Sequence, residues 1–175
     1  VAPHFERLAS PVPSEVDLTL RARRLSLALD AFAQPGTTAV GVGHSIGAAT
    51  LVALAGAQMW LGPGRRVNIA PDGRLTRLAL LAPPTGFFQA PEALDAVRVP
   101  ILAWAGSEDG ITPPAQTEWL AHAMSGWQTV DVRVTAGAGH FSFMDLPPPQ
   151  TTEPLPNKQA FLREYSSEVC RFLVG

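Results

Sequence analysis

The sequence predicts an α/β fold in which helices flank a parallel β-sheet. Strands that alternate with helices along a chain imply β–α–β units, and the strands of a parallel sheet are buried on both faces, so each is expected to be apolar throughout. Four short runs rich in apolar or β-branched residues approach this character, and segments with helical periodicity lie between and after them. The four predicted strands are Thr37–Val42, Leu75–Ala82, Val99–Ala105 and Thr129–Thr135.

Length and composition fit one soluble domain. The chain has 175 residues, of which 46% are hydrophobic and 16% charged, and no linker or repeat divides it, so residues 1–175 are interpreted as a single domain with a real core. The formal net charge of −2 gives no basis for binding nucleic acid or an anionic membrane. No apolar run approaches the roughly 20 residues of a membrane span, and no signal peptide is recognisable, so the compartment stays open.

The first elements of the chain are an irregular segment and a helix. Val1–His4 is too short to classify, and the proline-containing stretch Phe5–Glu15 is expected to be irregular. Asp17–Phe32 carries apolar residues at helical spacing with arginines between them, which indicates a helix whose arginines are solvated. Pro35 and Gly36 end this helix.

The most informative stretch joins the first strand to a second helix. The strand runs into Gly43-His44-Ser45-Ile46-Gly47, a Gly-x-Ser-x-Gly sequence, and the alanine-rich segment Ala48–Met59 then has the composition of a helix. A serine in this strand–turn–helix setting is expected to have a strained backbone and a hydroxyl that stands above the sheet edge. Gly43 and Gly47 are expected to be glycines because strand and helix pack too closely for a Cβ atom.

Two further helices and a loop complete the pattern. Pro114–Met124 is predicted to be a helix with one buried side. A closing helix is predicted over about Lys158–Val174, after the proline-rich loop Leu146–Pro156, and the only cysteine of the chain, Cys170, is expected in the core. The apolar stripe that indicates this helix consists of Phe161, Tyr165, Val169 and Phe172.

Three polar side chains follow three of the predicted strands. Ser45 comes after the first strand, Asp109 after the third and His140 after the fourth. Ligands of parallel sheets bind beyond the carboxyl ends of the strands, so these side chains are expected to meet there. An imidazole can take the proton of a serine hydroxyl near neutral pH, and a carboxylate on the other ring nitrogen fixes the tautomer. Glu108 stays open as an alternative to Asp109 for the carboxylate.

These residues, in this order, resemble those of an α/β-hydrolase. The resemblance is closest to the dienelactone-hydrolase-like and platelet-activating-factor-acetylhydrolase-like esterases, and a serine rather than a cysteine at position 45 favours the esterase side. It implies a serine esterase that cleaves small-molecule esters through an acyl-enzyme, with Ser45 as nucleophile, His140 as base and Asp109 as orienting acid. The resemblance covers roughly residue 17 to the C-terminus and is carried by the nucleophile elbow at 43–47, Leu80-Leu81-Ala82-Pro83-Pro84-Thr85-Gly86, Gly106-Ser107-Glu108-Asp109 and Ala138-Gly139-His140-Phe141.

The sequence departs from that family at its start. A complete fold of the family has further strands before the elbow, and the loop after an early strand supplies half of the oxyanion hole. No His-Gly-Gly-like segment occurs in the sequence, so of the two expected donors only the backbone N–H of Ile46 is recognisable. The chain is therefore expected to be a C-terminal portion that lacks the N-terminal strands, to be completed by an N-terminal segment or a homo-oligomer, and to be nearly inactive alone.

A substrate pocket is predicted from aromatic residues near the strand ends, although aromatic residues at such places usually belong to the core. The four histidines of the chain show no metal-ligand spacing, so neither a metal nor another cofactor is predicted. The pocket candidates are Phe87, Phe88, Trp104 and Phe141, with Phe143 beside them.

Two other interpretations stay open. A hydrolase fold without its N-terminal half could be a non-catalytic binding or scaffolding fragment. The segment Gly41–Gly47 also contains Gly-x-Gly-x-x-x-Gly, a variant of a dinucleotide-binding loop. That function needs an acidic residue about 20 residues on, at the end of a second strand. Asp72 lies farther along the sequence than this function requires, and it lies in a turn. The dinucleotide interpretation also leaves Asp109 and His140 unexplained.

Overall fold

The helices and strands follow the order that the sequence predicts. The computed structural model describes residues 13–175, so the expectations for Val1–His4 and for most of Phe5–Glu15 lie outside the described residues. The helices are α1 (Glu15–Phe32), α2 (Ile46–Leu54), α3 (Pro114–Met124) and α4 (Lys158–Val174), with one 3₁₀ turn at Thr85–Phe88. The strands are β1 (Ala39–His44), β2 (Met59–Trp60), β3 (Arg66–Val67), β4 (Leu75–Leu81), β5 (Ile101–Gly106) and β6 (Val130–Thr135).

The first helix begins earlier than predicted because of its N-terminal cap. The hydroxyl of Ser14 accepts a hydrogen bond from the Asp17 N–H (3.2 Å), and the Asp17 carboxylate accepts one from the Ser14 N–H (3.1 Å). This reciprocal capping box satisfies two backbone donors at the start of a helix. Helix α1 therefore starts at Glu15, and it places Leu18 and Ala22 in the core.

The four predicted strands form one parallel sheet. Its strand order is β1-β4-β5-β6, with each neighbouring pair parallel. The carboxyl ends of these strands therefore lie along one edge of the sheet, where Ser45, Asp109 and His140 follow β1, β5 and β6. Within residues 13–175, β1 has a neighbour on one side only and is an edge strand.

The predicted helix Ala48–Met59 is wrong at both ends. Helix α2 begins at Ile46, directly after the turn at Ser45, and ends at Leu54. Gly56 has a φ of +115°, a conformation that glycine adopts far more readily than other residues and that commonly ends helices. The chain then forms the short antiparallel pair of β2 and β3, which the sequence analysis did not predict because its two halves are too short to show a pattern.

Alternate residues of the strands pack against opposite layers. On one side, Leu78, Leu80 and Ile101 belong to a core cluster with α1, α2 and α3; on the other, Ala79 and Trp104 belong to a cluster with α4. This two-layer covering explains why β5 and the second half of β4 are apolar and buried, whereas the edge strand β6 alternates valine with Asp131 and Arg133.

Helix α4 presents its predicted stripe to the second layer, with Phe161 and Val169 buried. Cys170 is exposed, so the expectation that it lies in the core is wrong. The reason is helical geometry, since neighbouring positions differ by about 100° around the axis and Val169 already points inward. None of the helices within residues 13–175 combines the length and the hydrophobicity that crossing a bilayer requires.

Candidate active site

Ser45 occupies the sharp turn between β1 and α2. Its φ is +51° and its ψ −124°, a conformation that costs a residue with a side chain on the order of 1–3 kcal/mol. The Ser45 N–H donates to the Leu81 carbonyl at the end of β4 (2.8 Å), and its own carbonyl accepts from the N–H groups of Ala48 and Ala49 in α2. The strained turn that the sequence predicts is confirmed, and neighbouring elements hold it in place.

The two glycines of the turn have different reasons to be glycines. A Cβ atom on Gly43 would lie 2.7 Å from the Ala48 nitrogen and 2.7 Å from the Gly47 carbonyl carbon, so no larger residue fits between strand and helix. A Cβ atom on Gly47 would meet no atom within 4 Å among the described residues. The predicted collision is therefore confirmed at Gly43 and wrong at Gly47, which lies on the open side of the helix start.

The structure brings Ser45, His140 and Asp109 together in one line. His140 Nε2 lies 2.9 Å from Ser45 Oγ, and His140 Nδ1 lies 2.8 Å from Asp109 Oδ2. Asp109 is 3% exposed and His140 7% exposed, so both depend on protein partners rather than on water. In a neutral imidazole one ring nitrogen donates and the other accepts, and a carboxylate beside Nδ1 favours the tautomer in which Nε2 accepts.

The Asp109 carboxylate is held by several donors besides His140. Its Oδ1 accepts from the N–H groups of Ile111 and Thr112, each at 2.8 Å, and its Oδ2 accepts from the Thr112 hydroxyl at 2.8 Å. Burial alone would raise the pKa of Asp109, but the hydrogen bonds from His140 and Thr112 outweigh it and hold that pKa below its ordinary value. Asp109 is therefore ionised at neutral pH.

Thr112 is a site residue that the sequence analysis missed. Its Oγ lies 3.0 Å from His140 Nδ1 and 3.1 Å from the Ala82 carbonyl oxygen, in addition to its contact with Asp109. An aspartate in a turn commonly accepts from the backbone N–H two residues on, as Asp109 does from Ile111, but this pattern does not indicate the contact with the Thr112 hydroxyl.

The competing carboxylate, Glu108, points elsewhere. Its side chain is exposed and accepts a hydrogen bond from the Ser107 hydroxyl at 3.3 Å. His122 is exposed on α3. Asp72, the acidic residue that a dinucleotide site would need, is engaged by the Arg74 guanidinium at 2.6 Å and 2.7 Å.

The predicted substrate pocket is only partly supported by the positions of its residues. Phe141 is half-buried and its ring centroid lies 4.9 Å from that of His140, so it borders the line of three side chains. Phe88 is 2% exposed and lies in the first core cluster, against which Phe87 packs. Trp104 is 6% exposed and lies with Phe143 in the second cluster, so the assignment of Phe88, Trp104 and Phe143 to a pocket is corrected to a core role.

Ile46, the predicted oxyanion donor, is the first residue of α2. The first N–H groups of a helix have no acceptor within the helix and carry its positive dipole end, so they suit a developing negative charge. Within residues 13–175, no three histidine, cysteine, aspartate or glutamate side chains are grouped so that they could hold a metal ion.

Comparisons with known proteins agree on the architecture. No family model matches the sequence, and no curated protein sequence matches it either. Among solved structures, the chain is similar to an α/β-hydrolase-type protein of unknown function from Agrobacterium tumefaciens (TM-score 0.60, 14% identity, covering 89% of this chain and 59% of that one). It is also similar to an esterase of Pyrococcus furiosus (TM-score 0.60, 14% identity, 94% and 64%) and to a monoacylglycerol lipase of Paleococcus ferrophilus (TM-score 0.57, 14% identity, 90% and 75%).

The shared feature is the fold, since all three identities are 14%. The chain spans 59% of the length of the Agrobacterium protein and 64% of that of the Pyrococcus esterase. A parallel sheet flanked by helices, with a strained serine turn between β1 and α2, is common to the prediction and the structure. The chain has the α/β-hydrolase fold.

Proposed function

We propose that this chain is the catalytic part of a serine hydrolase that cleaves carboxylic esters. The single observation that carries the proposal is the alignment of Ser45, His140 and Asp109. His140 Nε2 lies 2.9 Å from Ser45 Oγ, and His140 Nδ1 lies 2.8 Å from Asp109 Oδ2. The serine is half-buried at a strained turn, and a buried carboxylate orients the imidazole. Structures of similar fold include an esterase and a monoacylglycerol lipase.

The first half-reaction makes an acyl-enzyme. His140 Nε2 takes the proton of the Ser45 hydroxyl as Oγ attacks the carbonyl carbon of the ester. The resulting oxyanion accepts a hydrogen bond from the Ile46 N–H at the positive end of α2. The bond to the alcohol then breaks, and the imidazolium returns its proton to the leaving alkoxide.

The second half-reaction repeats these steps with water. His140 deprotonates a water molecule, the hydroxide attacks the acyl carbon, and the proton returns to Ser45 Oγ as the carboxylic acid leaves. Asp109 stabilises the imidazolium that forms in both halves, and Thr112 keeps that carboxylate in place. No cofactor is needed for this sequence of steps.

Labelling with a serine-directed phosphonate tests the proposal. Intact-mass spectrometry of the full-length protein is expected to show one adduct in the wild type and none in Ser45→Ala. Labelling that persists in Ser45→Ala would refute the assignment. A folded full-length protein that is never labelled would favour the alternative, a non-catalytic binding fragment of a hydrolase fold.

Coupling between the residues supplies a second readout. Because nucleophile and base act as one unit, Ser45→Ala and His140→Ala are each expected to cost nearly as much ester turnover as the double variant. Losses that add up independently would show that the two side chains do not act together.

A further inference from the structure

The loop that carries His140 is covered from behind by the proline-rich segment. A Cβ atom on Gly139 would lie 3.0 Å from Pro154 Cγ, which is closer than two packed carbon atoms normally approach. A Cβ atom on Gly137 would lie 3.8 Å from Leu155 Cδ1. The proline-rich segment is therefore in direct contact with the residues that precede His140.

Ser142 joins the two segments by hydrogen bonds. It is completely buried, its Oγ accepts the Gly139 N–H at 2.8 Å, and its hydroxyl donates to Glu153 Oε1 at 2.5 Å. A hydroxyl has a single proton. Because Ser142 uses that proton in its hydrogen bond to Glu153, a lone pair of Oγ is left to accept from the Gly139 N–H. The Glu153 carboxylate therefore fixes the orientation in which Ser142 holds the backbone beside His140.

Glu153 is itself held in place. Its Oε1 also accepts the Leu155 N–H at 3.1 Å, and Lys158, in the first turn of α4, forms an ion pair with Oε2 at 3.1 Å. Burial alone would raise the pKa of Glu153, but the hydrogen bonds from Ser142 and Leu155 and the Lys158 ammonium hold it below its ordinary value. The carboxylate is therefore ionised at neutral pH and can only accept hydrogen bonds, as this arrangement requires.

We propose that Glu153 is a positioning residue for His140 that acts through Ser142 and the Gly139 N–H. The inference rests on the proposed function, because the distance that Glu153 protects is the 2.9 Å between His140 Nε2 and Ser45 Oγ. Glu153 does not contact either of these atoms; it fixes the backbone from which the imidazole projects. Hydrogen bonds of an ionised group are stronger than neutral ones, so loss of this carboxylate loosens the loop more than loss of an ordinary polar contact.

The test compares three variants of the full-length protein on an ester substrate, with active sites counted by phosphonate labelling. Glu153→Ala is expected to lower kcat per labelled site by roughly 10- to 100-fold with little change in KM, since a misplacement of about 1 Å can cost 10²-fold. Glu153→Gln keeps an oxygen that can accept from Ser142 but loses the negative charge that faces Lys158, so it is expected to recover only part of the loss. The matched control is Glu164→Ala, an exposed glutamate on α4, which is expected to leave kcat unchanged.

Equal kcat per labelled site in Glu153→Ala and Glu164→Ala would overturn the inference, since a purely structural role changes the number of active molecules and not their turnover. If Glu153→Ala does not fold, Ser142→Ala makes the same comparison. Amide hydrogen exchange at Gly139 separates this inference from the proposed function, because it needs no activity. Exchange at Gly139 is expected to be faster in Glu153→Ala and Ser142→Ala than in Glu164→Ala. Equal exchange in the three variants would contradict the proposal that Glu153 acts through Ser142 on the Gly139 N–H.

Discussion

His44 Nε2 lies 2.7 Å from the carbonyl oxygen of His140, so the residue before Ser45 holds the loop that brings the imidazole to Ser45. The two rings also lie close together, with centroids 4.8 Å apart. Since His44 belongs to β1 and the carbonyl to the loop after β6, this hydrogen bond joins the two ends of the four-stranded sheet. The His44 side chain therefore positions the loop that carries His140, in addition to packing beside it.

The His44 contact predicts a dependence of stability on pH. Burial lowers the pKa of His44, so the folded protein binds that proton less tightly than the unfolded chain does. As the pH falls below about 6.5, the unfolded chain takes up the proton first and the free energy of unfolding decreases; above that value the effect is absent. His44→Gln, which can still donate to the His140 carbonyl, is expected to lose less stability in acid than the wild type.

Chemical denaturation of the wild type and of His44→Gln, above and below about pH 6.5, measures the difference in the free energy of unfolding. The other histidines are present in both proteins, so their titration does not contribute to the difference. Parallel stability curves would mean that His44 titrates normally in the folded protein. His44→Ala removes the donor altogether and is expected to cost about 0.5–1.5 kcal/mol at neutral pH, the usual net value of one hydrogen bond.

Two buried threonines form a matched pair for testing the site. Thr112 donates to Asp109, whereas the Thr117 hydroxyl on α3 is buried without a hydrogen-bond partner among the described residues. Thr112→Val is expected to destabilise the protein by about 1–3 kcal/mol because it leaves charged and polar partners unsatisfied, and to lower ester turnover as well. Thr117→Val removes an unsatisfied hydroxyl and is expected to be neutral or stabilising.

Thermal unfolding and turnover per labelled site measure both outcomes for this pair. Equal effects of Thr112→Val and Thr117→Val would show that the Thr112 hydroxyl contributes nothing specific to the site.

The two glycines of the elbow predict opposite outcomes for the same substitution. Gly43→Ala places a methyl group 2.7 Å from the backbone of α2, and this overpacking is expected to cost about 1–3 kcal/mol and to displace Ser45. Gly47→Ala adds a methyl group that meets no atom of residues 13–175 within 4 Å, in the first turn of a helix, where alanine is favoured over glycine by about 0.5–1 kcal/mol. Denaturation curves of the two variants decide the question, and a tolerated Gly43→Ala with a disruptive Gly47→Ala would contradict the geometry.

Much of this fold could be predicted because its signals are local. Periodicity located the strands and three of the helices, and the sheet geometry of a parallel fold placed Ser45, Asp109 and His140 at one edge. The contacts that were missed join distant parts of the chain: His44 and the His140 carbonyl are 96 residues apart, and nothing in either sequence neighbourhood indicates the partner. Trp104 and Phe88 were assigned to a pocket because an aromatic residue near a strand end has the same sequence signature whether it lines a cleft or fills a core.

The last prediction concerns the exposed edge of the sheet. Val40 and Val42 of β1 are 47% and 53% exposed, and they point away from Gly41 and Gly43, which face α2. Within residues 13–175, β1 pairs only with β4, so its other side presents unpaired N–H and C=O groups beside an apolar face. Natural edge strands carry charge, proline or a bulge against association. β1 carries no Asp, Glu, Lys, Arg or proline, and its irregular register with β4 is confined to the start of the strand, between Ala39 and Val40.

Residues 1–175 expressed alone are therefore expected to associate or aggregate and to have little esterase activity. Strands supplied before β1, on the same chain or as a complementing segment, are expected to restore solubility and activity. Within residues 13–175 the Ile46 N–H is the one oxyanion donor that we assign, and the lack of a second donor would by itself cost on the order of 10²–10³ in rate. Val42→Lys tests the cause: in residues 1–175 alone the charge is expected to reduce association without restoring turnover, whereas in a longer chain that covers this face it is expected to be destabilising because it buries an unpaired charge. Light scattering, cooperative unfolding and turnover per labelled site measure these outcomes. A monomeric, cooperatively folding 175-residue protein with the turnover of an ordinary enzyme would prove the prediction wrong.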